Sequence, residues 1–263
     1  MQDRSRSDVS SSSDRRRTRV ILIHGVGCRG EDWSAQLEHL SQAADVIAPD
    51  LPEPGCESLI SGMARFVNEA RQSAPRHPTV LVGHSMGCRV ALEAARQQPE
   101  GLIGLVLIEG SQRAIGQPAD IASSDGDKAA SDNKAALMQS FLDMFSDNTP
   151  DEFRALALRR VTDIGVSAIG KLVRGMAHWD ATHAVDALNS LQAPTLVVQS
   201  TFRAAGQRRR PIEQGEMSPW LRLVSAHKPD AEIVWLTGCG HFPQIEAPET
   251  INALLGRFIK ALQ

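Results

Sequence analysis

The sequence predicts an α/β protein built on a mostly parallel sheet of about six strands with helices on both faces. Short apolar runs at Val20–His24, Val46–Ala48, Val80–Val82, Ile103–Ile108, Thr195–Gln199 and Glu232–Leu236 read as strands, and helix-period segments separate most of them. Most of these runs are near-continuous Val, Ile and Leu rather than alternating, as expected of parallel strands covered on both sides. His24, Ser85, Glu109 and His241 each fall just past a strand end, where open parallel sheets bind ligands.

Residues 1–18 are Ser, Asp and Arg with almost nothing apolar and read as a disordered tail lacking the apolar core of a signal peptide. The first strand ends in His24-Gly25-Val26-Gly27, and a helix is expected from Trp33 to Ala44. The second ends at Pro49-Asp50-Leu51-Pro52, followed by a Pro54-Gly55 turn. A helix over Glu57–Ser73 places Ile60, Met63, Ala64, Val67 and Ala70 on one face. After the third strand come Gly83-His84-Ser85-Met86-Gly87 and a helix with small residues at Val90, Ala91, Ala94 and Ala95. The fourth strand ends at Glu109-Gly110-Ser111.

Alternation stops there. A polar loop, Gln112–Ser131, leads into amphipathic helices near Lys134–Phe145, Asp151–Arg160 and Ile164–Ala177 with no evident strand. Residues 112–190 therefore read as a helical cap insertion between core segments 19–111 and 191–263. Trp179-Asp180 reads as a helix cap with a packed aromatic. The core resumes with the strand at Thr195–Gln199, a helix near Pro219–Ala226 and the last strand. The loop Gly238-Cys239-Gly240-His241 precedes a final helix burying Ile251, Leu254, Leu255, Phe258 and Ile259.

The 263 residues suffice for one α/β domain, and a net charge of −3 gives no overall basic balance for nucleic acid. No apolar run is long enough to span a membrane. The four cysteines (Cys28, Cys56, Cys88 and Cys239) show neither metal-ligand spacing nor a dense disulfide pattern, which fits a reducing cytoplasm. Cys28, Cys88 and Cys239 read as small apolar fillers near the site.

Gly-x-Ser-x-Gly between strand and helix is a sharp turn that exposes the Ser85 hydroxyl, with glycines where the two elements pass closely. A hydroxyl nucleophile needs a base within hydrogen-bond reach, and His241 sits in a loop where packing calls for no imidazole. Together with His24-Gly25 and Trp33, Asp50-Leu51-Pro52, Pro194–Gln199, Gly240-His241-Phe242-Pro243 and Glu246-Ala247-Pro248-Glu249, this pattern resembles the α/β-hydrolase fold over about residues 19–262. The chain starts at what that family counts as its third strand, hence about six strands.

The resemblance implies Ser85 as nucleophile, His241 as base and the backbone N–H groups of Val26 and Met86 as an oxyanion hole. His24, Cys28, Trp33 and Phe242 are candidate pocket residues, although His24 and His84 also read as buried structural histidines. The family's usual acid would lie after Thr195–Gln199, but Ser200–Pro211 contains no carboxylate. Glu109 takes its place, since some branches (haloalkane dehalogenases and fungal resorcylic-lactone lactonases among them) draw the acid from the loop after the preceding strand. Glu213, Asp186 and a bare Ser-His dyad remain alternatives. Arg208–Arg210 reads as a solvated loop at the pocket rim, with recognition of an anionic substrate as the alternative.

A serine hydrolase cleaving an ester or lactone through an acyl-enzyme is the activity expected. An Asp in place of Ser85 would mark a dehalogenase or epoxide hydrolase, and a Lys in place of Phe242 a plant-type hydroxynitrile lyase. Cofactor-independent dioxygenases of heteroaromatic compounds share the early acid position and form the alternative enzyme class; a non-catalytic small-ligand-binding protein is the third reading. The expected partner is a small apolar or aromatic molecule, with neither nucleic acid nor membrane, no cofactor and no metal.

Overall fold

The computed structural model describes residues 17–52, 59–73, 77–112, 127–204 and 207–263. Residues 1–16 of the expected tail 1–18, the Pro54-Gly55 turn, Cys56, the start of the second helix and residues 113–126 of the polar loop lie outside them. Six parallel strands form one sheet: β1 (Arg19–Ile23), β2 (Asp45–Ile47), β3 (Thr79–His84), β4 (Leu102–Ile108), β5 (Thr195–Gln199) and β8 (Glu232–Trp235). Their order is β2-β1-β3-β4-β5-β8, so β3, which ends just before Ser85, lies near the centre.

The period-two geometry of strands sorts these apolar runs onto two faces. Ile21, Ile23, Leu81, Leu105, Leu107 and Val197 join α2 (Leu59–Gln72), α3 (Met86–Gln97) and α8 (Pro219–His227) in one core. Val20, Leu22, Val80, Val82, Val106, Ile108, Leu196 and Val198 join α1 (Ser34–Leu40) and α10 (Pro248–Ala261) in the other. Each such side chain is almost wholly buried and contributes about 1.5–3 kcal/mol of transfer free energy. Two cores on one sheet leave the ends of its strands as the available place for a site.

Residues 127–190 hold α4 (Asp127–Leu142), α5 (Asp151–Ile164), α6 (Val166–Thr182) and α7 (Ala184–Ser190). The polar loop expected to reach Ser131 thus yields to helix from Asp127. Trp179 and Asp180 cap nothing: both lie inside α6, turned onto α3. The Asp180 carboxylate accepts from Arg89 Nε and Nη2 at 2.8 and 2.7 Å, and Trp179 Nε1 donates to Glu93 at 3.1 Å. At the other end, Arg160 of α5 donates to Asp32, 2.8 Å away, in the 3₁₀ turn Gly30–Trp33. Both ties reach from the helical segment to loops or helices that flank Ser85.

A two-stranded hairpin absent from the sequence reading, β6 (Thr201–Phe202) with β7 (Arg210–Pro211), follows β5. Its strands are too short to show a period. Here the hairpin carries the arginine-rich segment back against the sheet end.

Candidate active site

Ser85 stands at the junction of β3 and α3 with φ 55° and ψ −114°, a backbone conformation that costs a β-carbon-bearing residue strain. The turn closes because two positions lack a side chain. A β-carbon at Gly83 would meet the Gly87 carbonyl oxygen at 2.4 Å, and one at Gly87 would meet that of Ile23 at 2.3 Å. Glu109 has the same positive φ of 55°, and these two are the only such non-glycine residues among those described. The sharp turn after β4 aims the Glu109 carboxylate across the strand ends toward His241.

The three side chains form a continuous line. Ser85 Oγ donates to His241 Nε2 at 3.0 Å, and His241 Nδ1 donates to Glu109 Oε2 at 2.7 Å. The carboxylate is acceptor-only, which fixes the imidazole tautomer with its proton on Nδ1 and a lone pair toward Ser85. Glu109 is fully buried and well satisfied: Ser200 N donates at 2.5 Å, Thr201 N at 2.8 Å, and Gln199 Nε2 at 3.2 Å, and Thr201 Oγ1 also donates. Burial alone would raise the carboxyl, but His241, Arg209 and Thr201 outweigh it and hold Glu109 well below the usual carboxylate range. Glu213 is exposed in the loop after β7 and Asp186 is exposed on α7, and it is Glu109 that bonds His241.

The His241 loop is pinned at several points. His241 N donates to Met144 O at 2.9 Å, and Ser200 Oγ donates to Gly240 O at 2.6 Å. Glu246 accepts from Gly240 N at 2.5 Å, Ser146 Oγ at 2.6 Å and Thr149 Oγ1 at 2.7 Å, joining the loop to the helical segment. His84 Nε2 donates to His241 O at 2.7 Å; burial and the nearby His241 lower its pKa to about 3, so it stays neutral. Burial and then the Arg209 charge push His241 below its ordinary value, against the pull of Glu109.

Ser85, His241, Phe242 and Val26 line a cavity of about 80 Å³ whose opposite wall comes from α4 and α6. Met86 N and Val26 N donate no hydrogen bond to a described residue. His24, Cys28 and Trp33 do not line this cavity, which corrects their assignment to the pocket. His24 Nδ1 donates to Gly25 O and its Nε2 accepts from Leu51 N, both at 2.9 Å, so the ring braces the loop from behind. Cys28 packs with Phe153, Ala157 and Phe242, and Trp33 lies in the opposite core.

Arg209 was missed. It is not solvated: its side chain is 11% accessible, and Nη1 donates to Thr201 Oγ1 at 2.8 Å and approaches Glu109 Oε2 at 3.5 Å. Arg208 and Arg210 are exposed and pair with Asp143 and Glu216. A run of three arginines carries no signal for which one turns inward; the hairpin decides it.

A family model described as "Alpha/beta hydrolase family" matches residues 20–254. The chain belongs to the alpha/beta hydrolase family. It is similar to the (E)-2-((N-methylformamido)methylene)succinate hydrolase of Acinetobacter baylyi, 24% identical over 92% of this chain and 90% of that protein. It is also similar to the pimeloyl-[acyl-carrier protein] methyl ester esterase of Methylococcus capsulatus, 35% identical over 38% of this chain and 39% of that one. A thermophilic esterase from Thermogutta terrifontis shares the fold with a TM-score of 0.70 at 21% identity, over 94% and 91% of the two chains.

Proposed function

We infer that this α/β hydrolase is a serine hydrolase that cleaves a carboxylic ester or lactone through an acyl-enzyme. The unbroken hydrogen-bonded line from Ser85 Oγ through His241 to the buried Glu109, opening on a cavity, carries the reading. Esterases recur among the relatives, the Methylococcus capsulatus methyl ester esterase included.

Ser85 Oγ attacks the carbonyl carbon while His241 Nε2 takes its proton; Glu109 stabilises the resulting imidazolium. The carbonyl oxygen becomes an oxyanion facing the N–H groups of Val26 and Met86, Met86 being the first residue of α3, where the helix dipole adds to the field. Collapse expels the alcohol, which receives the His241 proton. Water, deprotonated by His241, then attacks the acyl carbon and frees Ser85. The helices of residues 127–190 act as the cap that walls the substrate.

The test is hydrolysis of short and medium acyl nitrophenyl esters by Ser85→Ala. Turnover should fall by about 10⁴-fold or more. Esterase activity surviving in the purified variant would make Ser85 chemistry wrong, and oxygen uptake with heteroaromatic substrates would then favour the dioxygenase reading.

A further inference from the structure

The cavity has a charge bias that the hydrolytic chemistry leaves unused. Arg89, Arg203 and Arg209 all line it, and no Asp or Glu does among the described residues. The anions that accompany two of these guanidinium groups stand behind the wall. Asp180 holds Arg89, and Glu109 lies 3.5 Å from Arg209. The lining also includes the apolar side chains of Leu137, Phe141, Ile169, Val173 and Met176.

Arg209 decides what these cations are for. Only one corner of its guanidinium is engaged: Nη1 donates to Thr201 and approaches Glu109. Nε and Nη2 share the opposite edge and donate to no described residue, although the side chain is almost buried. Two parallel N–H donors match the two oxygens of a carboxylate. This chain already uses the same edge that way, since Arg89 grips Asp180 through Nε and Nη2. Hydrogen bonds between a guanidinium and a carboxylate are about twice as strong as neutral ones, so a ligand that fills this edge gains affinity.

The geometry points to Arg209 as the anchor of a substrate carboxylate, with Arg203 on the same hairpin adding a second positive charge. The substrate is then a monoanionic ester or lactone, with a short apolar chain between its reacting carbonyl and a free carboxylate, as in the half-ester of a dicarboxylic acid. This rests on the hydrolase reading. The net reaction is half-ester plus water giving the diacid and the alcohol. Arg209 would bind the remote end of the molecule and thereby hold its carbonyl over Ser85.

The experiment compares kcat/KM for the monoethyl and diethyl esters of succinate, adipate and suberate, with wild type, Arg209→Met, Arg209→Lys and Arg203→Gln. Wild type should prefer the half-ester by about tenfold or more at one chain length. Arg209→Met should bring that ratio to about one or below; Arg209→Lys should recover only part of it, for want of the planar fork. The ratio is the readout because Arg209 also touches Glu109, so its loss can slow both esters together. Turnover of the diester as fast as the half-ester at every length overturns the anchor and leaves the hydrolase reading standing. Binding separates the two: Ser85→Ala, titrated calorimetrically, should take monoethyl adipate about tenfold more tightly than diethyl adipate. Absent or equal binding of the half-ester overturns the anchor, whereas failure of wild type to hydrolyse any ester overturns the hydrolase reading.

Discussion

Replacing Glu109 by Gln removes one charge and almost no volume, and the hydrogen-bond pattern dictates the consequence. Oε1 accepts from the backbone N–H groups of Ser200 and Thr201, so in the variant the amide oxygen must stay there. The amide NH₂ then occupies the place of Oε2 and faces His241 Nδ1. Two donors cannot share that contact, so His241 must switch its proton to Nε2 and present a lone pair at Nδ1. The nitrogen facing Ser85 is then a donor and no longer a base. The wrong tautomer together with the lost imidazolium stabilisation predicts a fall of about 10⁴-fold in kcat/KM, about 5 kcal/mol at the transition state. Arg209 also loses its nearby counter-charge, for a further cost of about 1–3 kcal/mol in folding stability. The assay is hydrolysis of a neutral nitrophenyl ester at a temperature where denaturation curves show the variant folded, with Glu213→Gln as control because that side chain is exposed. A Glu109→Gln enzyme within tenfold of wild type would refute the reasoning, as would an equal loss in Glu213→Gln.

The base must be neutral to accept the Ser85 proton, and burial with the Arg209 charge places His241 below 6.5. So kcat/KM should rise with pH through a midpoint below 6.5. Arg209→Met should move that midpoint upward, leaving Glu109, His84 and Glu246 as the other groups acting on the ring; an unmoved or lower midpoint would contradict it. The Arg89–Asp180 pair is buried on both sides, so Arg89→Met should cost about 3–5 kcal/mol in urea unfolding, by breaking a buried ion pair from one side. Pairing it with Asp180→Leu should regain part of that loss, whereas equal stability of the single and double variants would show that the pair matters little.

The sheet was legible because buried parallel strands must be apolar throughout, and the runs at Val80–Val82 and Ile103–Ile108 could serve nothing else as well. Gly83 and Gly87 made the turn at Ser85 legible, since each is required by a close backbone contact. The family resemblance pointed to Glu109, an acid at a strand end, because the later loop had none. Contacts between distant segments were not legible. The Asp180 side chain gives no local sign that it answers Arg89, 91 positions earlier. Nor does Arg209 differ from its neighbours until the hairpin turns it inward. His24, Cys28 and Trp33 were placed in the pocket by nearness in sequence to the first strand end; the backbone there bends their side chains behind the loop, toward Leu51, Phe153 and the second core.

The most direct measurement treats the full chain with a fluorophosphonate and locates the adduct by peptide mass spectrometry. The account predicts one phosphonyl group on the peptide containing Ser85, formed rapidly by wild type and by Glu213→Gln and far more slowly by Glu109→Gln. No adduct, or an adduct on another serine at the same rate in all three, would contradict it.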